Sequence, residues 1–263
     1  MIIIGEKING AIPSVAEAIA ARNEEVIKKL AIAQSESGAN YLDVCAGTNP
    51  ESELEVLKWL LEIVQKTVDT PICIDSPDHN IIAKVLPEID HIGLINSVSG
   101  EGRKCEVLYP LVADSQWRII ALTCDDQGIP ADAERKYDIA VRLISKADEY
   151  GIKPDRLYID PLVLSLSAIN TALLSFTETV VKLKAAYPTV HITSGLSNIS
   201  YGMPRRRLIN QIFLAYALQS GMDSAIMDPT NKDMYATILA AENLLGRDKY
   251  SRAYNKAFRQ GRI

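Results

Sequence analysis

Short runs of β-branched and aliphatic residues alternate with longer stretches whose apolar positions recur every three or four residues, and this alternation continues along the whole chain. A brief apolar run between turn formers reads as a strand, and a period near 3.6 reads as a helix with one face on a core. The runs predict strands at Ile2–Ile4, Tyr41–Cys45, Ile72–Asp75, Ile92–Asn96, Arg118–Thr123, Leu157–Asp160, Val190–Thr193 and Ser224–Met227. Between them the pattern predicts helices over about 23–37, 51–69, 78–88, 101–115, 132–150, 168–186, 205–220 and 231–246, with a last one near 249–260. In the first, Val26, Ile27, Leu30 and Ile32 form an apolar face flanked by Glu24, Glu25, Lys28 and Lys29, and Gly38 ends it. The helix over 132–150 stops in the same way at Gly151, with Pro154 blocking any continuation.

The strands are mostly apolar instead of strictly alternating, as expected where one face fills an interior and the other meets helices. Eight strand–helix units of this kind predict an α/β fold, a (β/α)8 TIM barrel, as a single domain over residues 1–263. An open doubly wound sheet is the alternative, but Gly5-Glu6-Lys7-Ile8-Asn9-Gly10 after the first strand is no G-x-G-x-x-G phosphate loop. No linker, low-complexity segment or break in composition divides the chain.

Composition sharpens this reading in three places. With 48% hydrophobic and 23% charged residues, 263 residues can build one full core. The balance of 28 basic against 33 acidic residues, net −5, argues against a nucleic-acid partner, since phosphate recognition needs clustered cations. The opening Met1-Ile2-Ile3-Ile4-Gly5-Glu6 is charged too early for a signal peptide, and no apolar run approaches the ~18 residues of a membrane span. A cytoplasmic protein without a membrane partner is expected. Cys45, Cys73, Cys105 and Cys124 contain no C-x-x-C pair, and His79, His91 and His191 lack ligand spacing, so no metal is expected on this chain.

The candidate chemistry lies at strand ends. In a barrel the loops after the strands line the site, which gives Asp75, Asn96 and Asp160 a functional reading beside the ordinary one of helix cap or turn former. A fourth polar group, the carboxamide of Asn198, sits in the turn Gly195-Leu196-Ser197-Asn198-Ile199-Ser200-Tyr201-Gly202-Met203-Pro204 after the seventh strand. Asp43 lies inside its strand and reads either as a site residue or as a buried hydrogen-bond partner. Arg205-Arg206-Arg207 opens a helix whose dipole disfavours cations. It reads as a solvated basic turn or as an anion contact, with Arg206 as the candidate. Arg252, Lys256, Arg259 and Arg262 read as a solvated face.

Gly5-Glu6-Lys7-Ile8-Asn9, Ile74-Asp75-Ser76, Ile95-Asn96-Ser97, Tyr158-Ile159-Asp160-Pro161-Leu162 and Gly195-Leu196-Ser197-Asn198-Ile199-Ser200 occur in order over nearly the whole chain. Together they resemble the methyltetrahydrofolate:corrinoid protein methyltransferases of anaerobes and the folate module of cobalamin-dependent methionine synthase. The resemblance implies that Asp75, Asn96 and Asp160 cradle the pterin, with Asp43, Gly195, Ser197 and Arg206 in the same pocket and Asn198 as the catalytic group near N5. Carboxylates accept from the pterin's amino and ring N–H groups, and an amide can donate and accept as N5 changes its protonation. The amide cannot itself supply the proton, so water or a remoter acid must.

The resemblance also implies tetrahydrofolate or methyltetrahydrofolate as substrate, a corrinoid (cobalamin) brought by a partner corrinoid-binding protein, and a homodimer. The segment Tyr201-Gly202-Met203-Pro204 is closer to the methionine synthase module and points to methylamine or betaine catabolism. Methionine synthase itself is excluded by architecture, because the chain lacks a zinc-cysteine module and a D-x-H-x-x-G corrinoid signature. Dihydropteroate synthase is the rival: Ile95-Asn96-Ser97-Val98-Ser99-Gly100 resembles its fourth strand. Asn198 and Ile199, however, stand where that enzyme carries an Arg-Lys pair. A folate-binding module without catalysis is the remaining alternative.

Overall fold

In the computed structural model, which describes residues 1–263, eight parallel strands pair in chain order and the eighth pairs back onto the first. They are β1 (Ile2–Asn9), β2 (Tyr41–Cys45), β3 (Ile72–Asp75), β4 (Leu94–Gly100), β5 (Arg118–Asp125), β6 (Leu157–Asp160), β7 (His191–Ile192) and β8 (Ser224–Met227). The helices are α1 (Pro13–Ala20), α2 (Glu24–Glu36), α3 (Pro50–Thr67), α4 (His79–Val85), α5 (Lys104–Val112), α6 (Ala133–Glu149), α7 (Ala172–Ala186), α8 (Arg206–Ser220), α9 (Lys232–Leu244) and α10 (Arg252–Arg259). The expected (β/α)8 barrel is the fold observed.

Several helices start where a side chain satisfies the first free amides. The Asn49 amide oxygen accepts from Ser52 N at 3.1 Å ahead of α3, and Asp132 accepts from Arg135 N at 2.8 Å ahead of α6. Asp78 and Asn231 do the same for α4 and α9.

Strand parity divides the buried side chains into two sets. Ile3, Leu42, Val44, Ile74, Ile95, Ile119, Ile159 and Ile192 belong to the outer core, between sheet and helices. Ile4, Tyr41, Cys73, Leu94, Ile120 and Tyr158 form a separate inner core, with Ile2, Leu122 and Ile226 against it. At its lower end Arg118 donates to the Tyr41 hydroxyl at 2.8 Å, and His191 stacks on Tyr158 with centroids 4.6 Å apart.

The structure departs from the sequence pattern in a few places. α1 was not expected: eight residues are too few for a clear helical period, though Pro13 opens it and Val15, Ala18 and Ile19 are buried. β4 starts two residues late and runs on to Gly100, so Asn96 lies within it instead of ending it. The strand expected at Ile92 starts only after Gly93, where a Cβ would come within 2.2 Å of the Ile72 carbonyl. α7 starts at Ala172, because the chain before it is held as a loop: Ser165 and Ser167 hydroxyls donate to the Tyr201 carbonyl and Leu166 N to Ile199 O. Ile32 is 41% exposed, and Gln34 takes the buried place on α2, accepting from Lys7 N at 2.9 Å. Arg262 is not part of a free solvated face; it lies over the Tyr235 ring at 4.5 Å and donates to Ser37 O.

The barrel closes at its weakest pairing. β7 has two residues, and its join to β8 consists of Asp223 N to Ile192 O at 3.3 Å, Ile226 N to Ser194 O at 2.9 Å and Ser224 Oγ to Ile192 O at 2.9 Å. The Asp223 carboxylate fastens this seam: it accepts from Ile192 N at 2.8 Å and Lys184 Nζ at 3.0 Å, and meets His191 Nδ1 at 3.1 Å. Burial would raise the Asp223 carboxyl, but His191, the Ile192 amide and Lys184 outweigh it and hold the group below its usual range. Asp223→Ala should therefore destabilise the fold by about 1–3 kcal/mol in urea titrations at pH 7. Because the folded-state pKa is depressed, this stabilisation is present above the unfolded value near ~3.9 and fades as pH falls through the folded one. An unchanged urea midpoint at pH 7 would show that the seam does not depend on Asp223.

Candidate active site

The parity that places Ile4, Tyr41, Cys73, Leu94, Ile120 and Tyr158 inside the barrel also assigns the next inward positions. Two residues further along their strands stand Glu6, Asp43, Asp75, Asn96, Leu122 and Asp160, and Asp228 follows Ile226 in the same way. The interior thus changes from apolar at the strand starts to polar at the strand ends. A closed barrel excludes water below, and the open end needs polar groups only where a ligand or solvent meets it.

On β2, β3 and β4 the polar groups form one connected set. Register places Asp43 opposite Cys73, Cys45 opposite Asp75, and Asp75 opposite Asn96. Asn96 Nδ2 donates to Asp43 Oδ1 at 3.2 Å, and the peptide after Asn96 is cis. Burial and the Asp75 charge push the Asp43 carboxyl well above the usual range. Burial pushes Asp75 up to about 6, against hydrogen bonds from Cys45 and Asp43 that lower it. Cys45 is a half-buried neighbour of this pair, and burial and Asp75 raise its thiol. Behind Asp75, Ser76 Oγ donates to buried Glu53 of α3.

Asp160 is 5% exposed at the end of β6. Its Oδ1 accepts from Leu162 N at 2.8 Å, and the Gly195 amide also bonds to it. Burial raises its pKa to about 6 in spite of these bonds and of the nearby Lys136 charge. Thr193, the residue after β7, is fully buried with an unpartnered hydroxyl on the inward parity beside Asp160. An orphaned hydroxyl there suits a ligand or water that completes the set.

Asn198 stands in the 3₁₀ turn Leu196–Ser200, with an exposed side chain. A Cβ at Gly195 would come within 3.0 Å of Asn198 Nδ2, so the glycine leaves room for that amide where it stands. Gly195 therefore joins the two chemistries, its N–H on Asp160 and its carbonyl accepting from Asn198 N at 3.2 Å. Half-buried Ser197 presents its carbonyl to Arg206 Nη2 at 2.8 Å, while Arg206 Nε donates to Ser200 Oγ at 3.0 Å. Arg206 braces the Asn198 turn from within the chain, a role the sequence reading did not foresee. Arg205 precedes α8 in a left-handed conformation, φ 51°, so the helix opens at Arg206 and not at Arg205.

Three groups escaped the sequence reading. Glu6 has its pKa raised to about 7 by burial and by Asp228, with Lys7 and Arg206 opposing. Asp228 bonds Lys7 at 3.6 Å and caps its own turn through Thr230 N at 2.9 Å. With Leu196, Ser197, Arg207 and Asn210 these two line a hollow of about 60 Å³ beside the Asn198 turn. The signal for Asp228 was present, since an Asp-Pro pair stands at the end of β8 as Asp160-Pro161 does at the end of β6. The third group, Lys136, lies on α6 and carried no signal. A larger hollow of about 660 Å³ lies on the outer helices, but its cations Arg22, Lys58 and Lys66 are paired with Glu55, Glu88 and Glu62 and no strand end reaches it. No cluster of His, Cys, Asp and Glu is arranged to hold a metal ion, and no helix is long and apolar enough to cross a membrane.

Residues 8–228 match the family described as pterin binding enzyme. A methylcorrinoid:tetrahydrofolate methyltransferase of Eubacterium limosum is 52% identical across 100% of this chain and 98% of that protein. The methionine synthase of Mycobacterium leprae (strain TN) is 29% identical over 86% of this chain, which corresponds to 20% of that enzyme. Among solved structures, the dihydropteroate synthase from Xanthomonas albilineans in complex with 7,8-dihydropteroate superposes with a TM-score of 0.62 at 18% identity, covering 94% of this chain and 93% of that one. The last likeness shows the barrel fold alone.

The raised carboxyls carry a stability consequence. A folded-state pKa of about 6 at Asp75, above the unfolded ~3.9, means that ionisation opposes folding. The penalty is absent below the unfolded value and complete above the folded one. Asp75→Asn should therefore stabilise the ligand-free protein by about 1–3 kcal/mol at pH 8, with the gain gone by about pH 4. Thermal unfolding at both pH values tests this, and an equal shift at both would contradict it.

Proposed function

The chain belongs to the pterin-binding enzyme family, and on that footing we propose that it moves a methyl group between N5 of tetrahydrofolate and the cobalt of a corrinoid carried by a partner protein. The observation that carries this reading is the convergence of Asp75, Asn96 and Asp160 on one inward layer, beside a turn that holds the exposed carboxamide of Asn198 against Gly195. A pterin's amino and ring N–H groups need acceptors. Asp160, ionised above about pH 6, offers one that the fold has already desolvated, so little reorganisation accompanies binding. Asp75 supplies a second acceptor and Asn96 a mixed one, its orientation set by the bond to Asp43. The orphaned Thr193 hydroxyl adds a further partner in the same layer.

Asn198 lies at the open end, where its amide can donate to or accept from N5 as the charge there changes. The partner's corrinoid would supply the cobalt: toward tetrahydrofolate the N5 lone pair would form the new N–CH3 bond while the Co–CH3 pair stays with cobalt, and in reverse the cobalt(I) pair would form Co–CH3 while the N5–CH3 pair stays on N5. Arg206 keeps Asn198 in place through Ser197 and Ser200. The E. limosum relative is named for transfer from a methylcorrinoid to tetrahydrofolate, which supports that direction here. A place in anaerobic one-carbon metabolism fed by methylated amines or betaines fits the same reading.

The dihydropteroate synthase alternative fails on charge. Asn198 and Ile199 leave the turn after β7 without the two cations a pyrophosphate leaving group needs. Storage of folate without catalysis predicts the same pocket but no dependence of rate on Asn198. With saturating substrate, Asn198→Ala should lower methyl transfer about 10²-fold in both directions, followed by the spectral change between cob(I)alamin and methylcobalamin. Asp160→Ala should instead weaken tetrahydrofolate binding, by about 1–3 kcal/mol in calorimetry. A rate within about twofold of wild type for Asn198→Ala would remove this residue from the mechanism.

A homodimer is supported by the outer face of α8 and α9. Leu208, Ile212 and Tyr216 recur every four residues on α8 with 46%, 49% and 51% exposure, and Leu244 of α9 is 88% exposed. An apolar hollow of about 170 Å³ lies between them, lined by Ala215, Tyr216, Ala241, Leu244 and Leu245. Light scattering should give twice the 28.9 kDa chain mass, and Ile212→Glu should give the single mass with the fold intact. A wild-type mass of one chain would refute the dimer.

A further inference from the structure

Lys136 is the one lysine buried to the level of the core, 1% exposed, on the inward face of α6 with Ile139, Ala140 and Leu143. An ammonium in such a place opposes folding unless something holds it there, and an apolar side chain of the same length would pack at lower cost. What it meets is the turn after β6. Its Nζ donates to the Leu162 carbonyl at 3.0 Å, while the amide of the same residue donates to Asp160 Oδ1 at 2.8 Å.

Leu162 is thus held from both sides, and it is held in a left-handed conformation, φ 50°, that a branched side chain disfavours. The Lys136 charge also reaches Asp160: it lowers the carboxyl's pKa, and the carboxylate in turn supports the ammonium, which burial has brought down to about 8. The other charge acting on Lys136 is Asp132, at the start of its own helix. Elsewhere on α6, Glu134 pairs with Lys182 of α7, Arg135 and Arg142 with Asp125 of β5, and Lys146 with Glu106 of α5 and with Glu149. Those pairs lie at the surface, which leaves Lys136 as the cation facing Asp160 from behind the pocket wall.

We propose that Lys136 is a positioning residue of the pterin site: it fixes the Asp160–Leu162 turn and keeps Asp160 in the charged, hydrogen-bond-accepting form that pterin recognition requires. The inference rests on the pterin reading for its functional half and, for its electrostatic half, on the two hydrogen bonds at Leu162 that set Lys136 behind Asp160 together with the pull of its charge. Lys136 touches no substrate. Its effect passes through Asp160, whose burial favours the protonated acid, a form that would turn one accepting oxygen into a donor facing the pterin's own N–H groups.

The ionisation of Asp160 can be followed directly by carbon NMR on protein labelled at aspartate, with its resonance identified by loss in Asp160→Asn. In the wild type the midpoint should lie near pH 6. Lys136→Met and Lys136→Gln should raise it by about one pH unit, and Lys136→Arg should restore it, because the Coulomb term follows the charge and not the shape. Tetrahydrofolate affinity measured from pH 5.5 to 8.5 should lose its acid limb at correspondingly higher pH, so that Lys136→Gln binds about tenfold more weakly at pH 6 than its affinity at pH 8.5 would imply.

If Lys136→Met fails to fold, Lys136→Gln carries the test, since it retains a donor for Leu162. An unmoved Asp160 midpoint in folded Lys136→Gln overturns the proposal, as does a moved midpoint with an affinity profile of wild-type shape. Absence of tetrahydrofolate binding by the wild type would overturn the pterin reading instead, while a moved midpoint would still establish the electrostatic link.

Discussion

Closure of the sheet into a barrel is the constraint on which the other features depend. Once β8 pairs with β1 and the Asp223 carboxylate fastens the join to β7, every second side chain on every strand points into one enclosed column. The lower part of that column has no access to water and is filled by Ile4, Tyr41, Cys73, Leu94, Ile120 and Tyr158. The upper part is open, and the same parity delivers Glu6, Asp43, Asp75, Asn96, Asp160 and Asp228 to it. No loop has to be positioned precisely to assemble the polar layer, because the rigid ladder does so.

That layer is electrostatically unfavourable without a ligand. Carboxyls gathered in a small, partly dry space raise one another's pKa values, and burial pushes Asp75 and Asp160 to about 6 and Glu6 to about 7. The structure meets this in three ways: Asn96 Nδ2 donates to Asp43, Lys7 lies against Asp228, and Lys136 stands behind Asp160. Each is a partial compensation, which leaves acceptors that a ligand rich in N–H groups can satisfy. Stability given up at the mouth is the counterpart of a polar layer already desolvated before any ligand arrives.

The turn after β7 adds the group that the strands cannot supply. Asn198 lies beyond the strand, so its placement depends on neighbours: Gly195 leaves room for the amide, Arg206 holds Ser197 and Ser200, and the loop after β6 closes on Tyr201. Gly195 and Leu162 both bond to Asp160, so the pocket floor and the Asn198 turn share one carboxylate. A change at Asp160 is thereby coupled to the position of the group at the mouth.

The amino-acid sequence by itself determined the eight strands, most helices, the barrel and the four polar residues Asp75, Asn96, Asp160 and Asn198. These are encoded locally: a strand is a run of β-formers, a helix is a period, and a polar residue after an apolar strand stands out against its neighbours. Asp228 was equally legible by that rule, while α1 was too short to show its period. Only the tertiary structure decided which polar groups meet. Asp43 reads in sequence as either a buried partner or a site residue, and the register of β2, β3 and β4 makes it the buried acceptor for Asn96. Arg206 reads in sequence as part of a solvated basic turn or as an anion contact, and in the fold its guanidinium braces a turn nine residues earlier. Lys136 occurs in a stretch of ordinary helical charges, Glu134-Arg135-Lys136, with nothing to mark it. Its distinction is the direction in which α6 faces when it packs on β4 and β5, and that direction is set by the closed barrel, through contacts between residues far apart in the chain.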